Sequence, residues 1–285
     1  MKHLLLGAGL LMAACNPSDK KTDTSASPAT QADTPAFSMP YQLDKPDQRA
    51  TLPGKLTEIS GLTYFKDGKL LCVQDEEAVV YVFDTKTQSV VSEFGFGGYG
   101  DFEGIEYVDG HVYVLESNGT LYRFEPESTQ IGRTKTDLPA KTEVEGLGYD
   151  PQTNRLLIAV KKSDNAKAEN SVYAYDLRSK GVYRQLTVSR PALDETHIDT
   201  KSYKPSGIAV HPITGHWYIL TSAGKRLVVV NRQGQIQGSQ ALDPALFRQP
   251  EGICFAPNGD LYIASEGNGK KGSLMTFAYQ GDKAP

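Results

Sequence analysis

From residue 56 onward, short apolar runs alternate with polar positions at a period of two, and one such run recurs five times. It reads EISGL from Glu58, DFEGI from Asp101, EVEGL from Glu143, KPSGI from Lys204 and QPEGI from Gln249. A period of two predicts strands, whose successive side chains point to opposite faces. The repeat glycines, Gly61, Gly104, Gly146, Gly207 and Gly252, are spaced by 43, 42, 61 and 45 residues. A repeat in the low forties is the size of one four-stranded propeller blade. Within the fourth repeat the strands read SGIAVHP, HWYILTS, RLVVVNR and QIQGSQAL; the fifth reads EGICFAP, DLYIASE and SLMTFAY and then runs out. Asp67-Gly68, Asp109-Gly110 and Asn258-Gly259 mark tight hairpins between them.

The pattern predicts an all-β propeller of five four-stranded blades. Residues 37 to 56 are expected to supply the strand missing from the fifth blade and to close the ring. A sixth blade has room only in the 61-residue interval, whose surplus reads as a long loop.

The same alternation places the acids. The innermost strand of each blade lines the axis, so the residues before each repeat glycine should face it: Ser60, Glu103, Glu145, Ser206 and Glu251. Two residues earlier, on the same side, stand Glu58, Asp101, Glu143, Lys204 and Gln249. The residues between the two sets, Ile59, Phe102, Val144, Pro205 and Pro250, are apolar and predicted buried. Two polar rings are therefore expected at one mouth of the channel. The second strands return to that face near Asp75, Ser117, Lys161, Ser222 and Glu266.

Crowded carboxylates are relieved by a cation, by protonation or by a paired lysine. Oxygen-only ligands suit Ca²⁺ or Mg²⁺ better than Zn²⁺. Glu103, Glu145 and Glu251 are the leading metal candidates, with Asp101, Glu143 and Glu58 behind them. A solvated funnel balanced by Lys204 and water is the alternative. His111, His211 and His216 fall at the opposite turns, so His197, in the insert Ser189 to Lys204, is the histidine on the acidic side, a candidate general base beside the ring carboxylates or else a surface histidine on a loop. Gly95 to Gly100 (GFGGYG) matches a dinucleotide pattern but leads into a strand, and reads instead as a close-packed loop at the mouth. Lys161, Lys162, Lys167, Lys270 and Lys271 decorate the rim, where they suit an anionic group or solvent.

The N-terminus has a different character. A short positive start, an apolar run from Leu4 to Met12 and then Ala13-Ala14-Cys15 resemble a bacterial lipoprotein signal, with Cys15 as the lipidated residue. Residues 1–14 are read as the signal, 15–38 as lipidated cysteine plus flexible tether, and 39–281 as the propeller. Asn16 after the cysteine implies outer-membrane sorting by the same resemblance. The expected address is the periplasmic side of the cell envelope. Cys72 and Cys254 remain, as core thiols or as a disulfide between neighbouring blades. A net charge of −4 argues against nucleic acid as a partner.

The phrases EISGL, VQDE, GDFEGIEY, VEGLGYD, PSGIAVHP and PEGICFAPNGDLYIASEG, in that order, resemble the SdiA-regulated family of bacterial envelope propellers. The resemblance implies a periplasmic β-propeller and no secure activity. The leading functional expectation is a tethered, non-catalytic module that binds a partner protein or envelope ligand at an acidic mouth. A metal-dependent hydrolase of the gluconolactonase type, acting on a lactone or phosphoester, is the alternative. It would need a divalent ion and a base such as His197.

Overall fold

The computed structural model describes residues 37–281. Its strands form five antiparallel sheets of four. Blade 1 comprises β2 (Ile59–Lys66), β3 (Lys69–Gln74), β4 (Glu77–Asp84) and β5 (Ser89–Tyr99). Blade 2 comprises β6 (Phe102–Val108), β7 (His111–Glu116), β8 (Thr120–Phe124) and β9 (Gly132–Lys135). Blade 3 runs through β10 (Thr142–Asp150), β11 (Arg155–Ser163), β12 (Ser171–Asp176) and β13 (Val182–Thr187). Blade 4 runs through β14 (Pro205–Val210), β15 (Trp217–Thr221), β16 (Arg226–Val230) and β17 (Ile236–Ala241). Blade 5 has β18 (Gln249–Phe255), β19 (Leu261–Glu266) and β20 (Ser273–Phe277), and its outer strand is β1 (Gln48–Thr51).

The chain therefore closes its ring with its own two ends. β1 pairs antiparallel with β20, from Gln48 opposite Thr276 to Thr51 opposite Ser273. The long interval holds no sixth sheet. It contains instead a short helix, α1 (Arg190–Glu195), whose first turn is capped by the Ser189 hydroxyl accepting from the Ala192 amide. At Asp67-Gly68 and Asp109-Gly110 both residues have positive φ, as a two-residue hairpin matched to strand twist requires. The GFGGYG segment is not a loop: through Tyr99 it extends the outer strand of blade 1.

Apolar faces of neighbouring sheets meet in five separate cores, one per blade interface. The interface between blades 3 and 4 also carries an ion pair. Arg232 donates through both terminal nitrogens to Asp150, at 2.5 and 2.6 Å, while Thr153 donates to the same carboxylate at 2.7 Å. These donors hold Asp150 below the usual carboxylate range against the opposing effect of burial.

Phe37, inside the stretch read as tether, is already packed. Phe37 meets the His216 ring edge-on at 5.9 Å, and Tyr41 and Leu43 are buried between blades 4 and 5. His211 belongs to this anchorage. Its Nδ1 accepts from the Ile213 and Thr214 amides, so Nε2–H donates to the Tyr41 hydroxyl, which donates in turn to the Gly259 carbonyl. Burial pushes His211 down to about 4, so it is neutral and structural. The lipoprotein signal, Cys15 and most of the tether lie outside the described residues.

Candidate functional site

The inner strands β2, β6, β10, β14 and β18 stand next to one another around the axis. They approach so closely that the repeat glycines become a steric necessity. A Cβ at Gly104 would lie 2.6 Å from Leu147 Cβ and 2.9 Å from its amide nitrogen. One at Gly207 would lie 2.7 Å from the Glu251 carbonyl oxygen, and one at Gly61 would lie 2.9 Å from Gly104 Cα. The axial cavity is correspondingly small, about 10 Å³, lined by the glycines and by the residues on either side of each. That is about room for one water.

Above the glycines the expected ring is present. Ser60, Glu103, Glu145, Ser206 and Glu251 all line the cavity. Ile59, Phe102, Val144, Pro205 and Pro250 are buried behind them. Where serine replaces glutamate, the hydroxyl ties neighbouring blades together. Ser60 donates to the Phe102 carbonyl at 2.6 Å, and Ser206 to the Pro250 carbonyl at 2.8 Å.

The charge balance differs from the expectation. The ammonium in contact with the ring is that of Lys161, which donates to Glu145 and lies 3.8 Å from Glu143. Lys204, the expected counter-charge, is not in that contact. Lys161, one of the rim lysines expected to meet an anionic group or solvent, instead faces Glu145, which at 4% exposure needs a counter-charge.

The remaining acids divide unevenly. Over blades 5, 1 and 2, Glu58, Asp75, Asp101, Glu103, Glu251 and Glu266 act on one another. Burial first, then Asp101, push Glu103 up to about 8, with Lys161 opposing. Burial pushes Glu251 up to about 7 against hydrogen bonds from Ser222 and Gln249. Asp75 and Glu266 are raised by burial and then by acidic neighbours, Glu58 among them. Asp101 accepts from Ser117, and Glu266 from Gln249. One carboxylate oxygen of Asp75 is buried with no hydrogen-bond partner.

Among the described residues, no three His, Cys, Asp or Glu side chains converge closely enough to hold a metal ion. Lys161 stands where an ion would meet Glu145 and Glu143. As arranged, Lys161 pairs with Glu145 and Glu143, while Glu103 and Glu251 form no ion pair of their own although Lys161 opposes their rise. His197 does not join it, being exposed just beyond α1. Cys72 and Cys254 are free thiols buried in one core between blades 5 and 1. The sequence reading missed Glu106, which lies beyond the glycines. It accepts from the Thr63 hydroxyl at 2.9 Å and from the Tyr107 and Tyr149 amides, while burial pushes it up to about 7.

The SdiA-regulated pattern matches residues 40–269, nearly the whole propeller. The chain belongs to the SdiA-regulated family. Among solved structures, a luciferin-regenerating enzyme is similar with a TM-score of 0.53 at 12% identity, over 85% of this chain and 98% of that one. Glutaminyl cyclase from Myxococcus xanthus gives 0.53 at 13% identity, over 85% and 97%. At such identity these likenesses concern the fold that the SdiA-regulated chain shares with enzymes, and not its chemistry.

One consequence for stability has a definite sign. Glu103 is raised above its ordinary value, so its stabilising protonated form is fully present at low pH and is lost as pH rises through about 8. Glu103→Gln is therefore expected to raise stability at pH 8.5 by about 1–2 kcal/mol, a figure reduced from the full shift by water at the mouth. At pH 5 the gain should vanish. Urea titrations at the two pH values check this, and an equal effect at both would refute it.

Proposed function

We propose that this SdiA-regulated propeller is a non-catalytic binding module of the bacterial cell envelope. Lipid on Cys15 would hold it to the outer membrane, facing the periplasm. Its mouth would take a cationic group of a partner protein or envelope ligand. The observation that carries the reading is the acidic arc over blades 5, 1 and 2, whose Glu103 and Glu251 form no ion pair of their own, beside a Lys161 ammonium already seated on the ring. A group that is costly to leave charged and alone is stabilised by an arriving cation. Phe37 packs on the side of the His216 turn, and the acids lie at the other ends of the strands.

Calcium or magnesium enters this reading only as a competitor of the Lys161 ammonium for Glu145 and Glu143. The hydrolase alternative would need a divalent ion together with a base, a role open to His197 or to a ring carboxylate. Titration calorimetry with spermine, a small polyamine, tests the proposal. Binding is expected, and it should fall at least tenfold in Glu103→Gln/Glu251→Gln. No binding, or binding unaffected by the double substitution, would sink the reading.

A further inference from the structure

The outer strand of blade 1 is unlike the other four. β5 has 11 residues, whereas β9, β13, β17 and β1 have four to six. A long open edge is usually blunted by lysine, proline or a cover. This one carries neither lysine nor proline, its single charge is Glu93, and two register shifts against β4 leave Ser92 to Gly95 as its regular stretch. Three large hydrophobic side chains are exposed among the described residues, and two of them, Val91 at 49% and Tyr99 at 87%, are on β5.

Beside this strand runs a groove in two lobes. The inner lobe, about 570 Å³, opens at Glu58 and is lined by Glu76, Glu77 and Tyr81. The outer lobe, about 500 Å³, is formed by Pro53, Val90 and Val91 with Ser89 and Ser92. Lys55 and Glu93 border both lobes and join across them at 2.5 Å, each well exposed. The Lys55 ammonium also lies 6.0 Å from the centre of the Tyr81 ring. The chain's own lysine thus shows which group this groove accommodates: an ammonium between a carboxylate and an aromatic face. Tyr99 stands opposite Glu77 in register, at the axial end of the strand.

We infer that this groove docks an extended segment of a partner protein, with basic side chains over the inner lobe and an aliphatic one over Val90 and Val91. Charge complementarity selects a basic segment over a second copy of this chain, which would bring Glu93 and its acidic neighbours against their own kind. Between its two register shifts, from Ser92 to Gly95, the open backbone edge of β5 offers such a segment strand pairing. Docking displaces the Lys55–Glu93 pair, which is worth little at this exposure. The inference deepens the binding-module reading and rests on it where Glu58 borders both sites.

The probe is a fluorescein-labelled hexapeptide Val-Ser-Lys-Ser-Lys-Ser (Lys–Val), whose Val and Lys share one face of a strand, with Glu in place of Lys (Glu–Val) and Gly in place of Val (Lys–Gly) as controls, followed by anisotropy with the full chain. Saturable binding of the Lys–Val peptide is expected, at least fivefold tighter than Lys–Gly, with none for Glu–Val. Val91→Asp and Glu93→Gln, both at exposed positions of β5 that line the groove, should each weaken it at least fivefold. Lys55→Ala should tighten it about threefold by freeing Glu93. Equal binding of Lys–Val and Lys–Gly, or indifference to the β5 variants, would overturn the inference. If affinity falls only in Glu103→Gln/Glu251→Gln, the groove is wrong and the mouth reading stands. If the β5 variants weaken the peptide while spermine does not bind, the mouth reading is wrong and the groove stands.

Discussion

Gly104→Ala is expected to cost at least about 3 kcal/mol, because its methyl group would meet backbone on the next blade. The added Cβ would lie 2.6 Å from Leu147 Cβ and 2.9 Å from the Leu147 nitrogen. Neither atom can swing aside as a side-chain end would. Relief requires widening the ring, and every widening loosens cores at the adjoining blade interfaces. The corresponding positions at Gly61 and Gly207 are crowded by backbone in the same way. Gly98 is the control: a Cβ there meets nothing within 4 Å, so Gly98→Ala should change stability by less than about 0.5 kcal/mol. Urea denaturation of the two variants decides the matter. A loss below 1 kcal/mol for Gly104→Ala would mean that the five inner strands are not in contact.

Lys161→Met should be nearly as damaging, for an electrostatic reason. Methionine keeps the length and apolar stem but removes the ammonium that meets Glu145. Glu145 is 4% exposed, and its neighbours Glu143 and Glu103 are acids. An unpaired buried carboxylate costs about 3 kcal/mol at the lower end of the usual range, since Lys161 itself is partly exposed. The double variant Lys161→Met/Glu145→Gln should recover most of the loss, because glutamine removes the stranded charge and retains the shape. If the single variant were as stable as the wild type, the ion pair would not be balancing the ring. If the double variant were no better than the single, the loss would come from packing rather than charge.

The architecture was legible because a strand repeat records two things at once. The alternation in EISGL, DFEGI and their counterparts fixed which residues face the axis, and the missing fourth strand of the last repeat pointed to residues 37–56. β1 lies within that stretch. The repeat glycines were visible as markers, but their cause was not, since close approach of inner strands is a property of the closed ring. The ring of acids was legible for the same reason of period. Which cation met it was not. Lys161 stood at the right end of its strand, aligned with Asp75 and Glu266, but no local pattern shows whether a long side chain points to solvent or to the axis. Long-range partners such as Arg232 and Asp150, 82 residues apart, leave no sequence signal of their own. The closing of Gly95 to Tyr99 into β5 was obscured by its glycines, which local propensity reads as loop.

The central claim is that the mouth holds acid groups that an arriving cation converts to their charged form. Burial pushes Glu103 up to about 8 and Glu251 up to about 7, so near pH 7 the pair still holds protons. A cation seated over them must therefore release protons, by linkage roughly one per site. Spermine calorimetry at pH 7 in phosphate and in Tris measures this directly, since the two buffers differ widely in ionisation enthalpy. An observed enthalpy that differs between them by an amount equivalent to about one released proton, and that no longer differs in Glu103→Gln/Glu251→Gln, is the expected result. Binding with the same enthalpy in both buffers would contradict it.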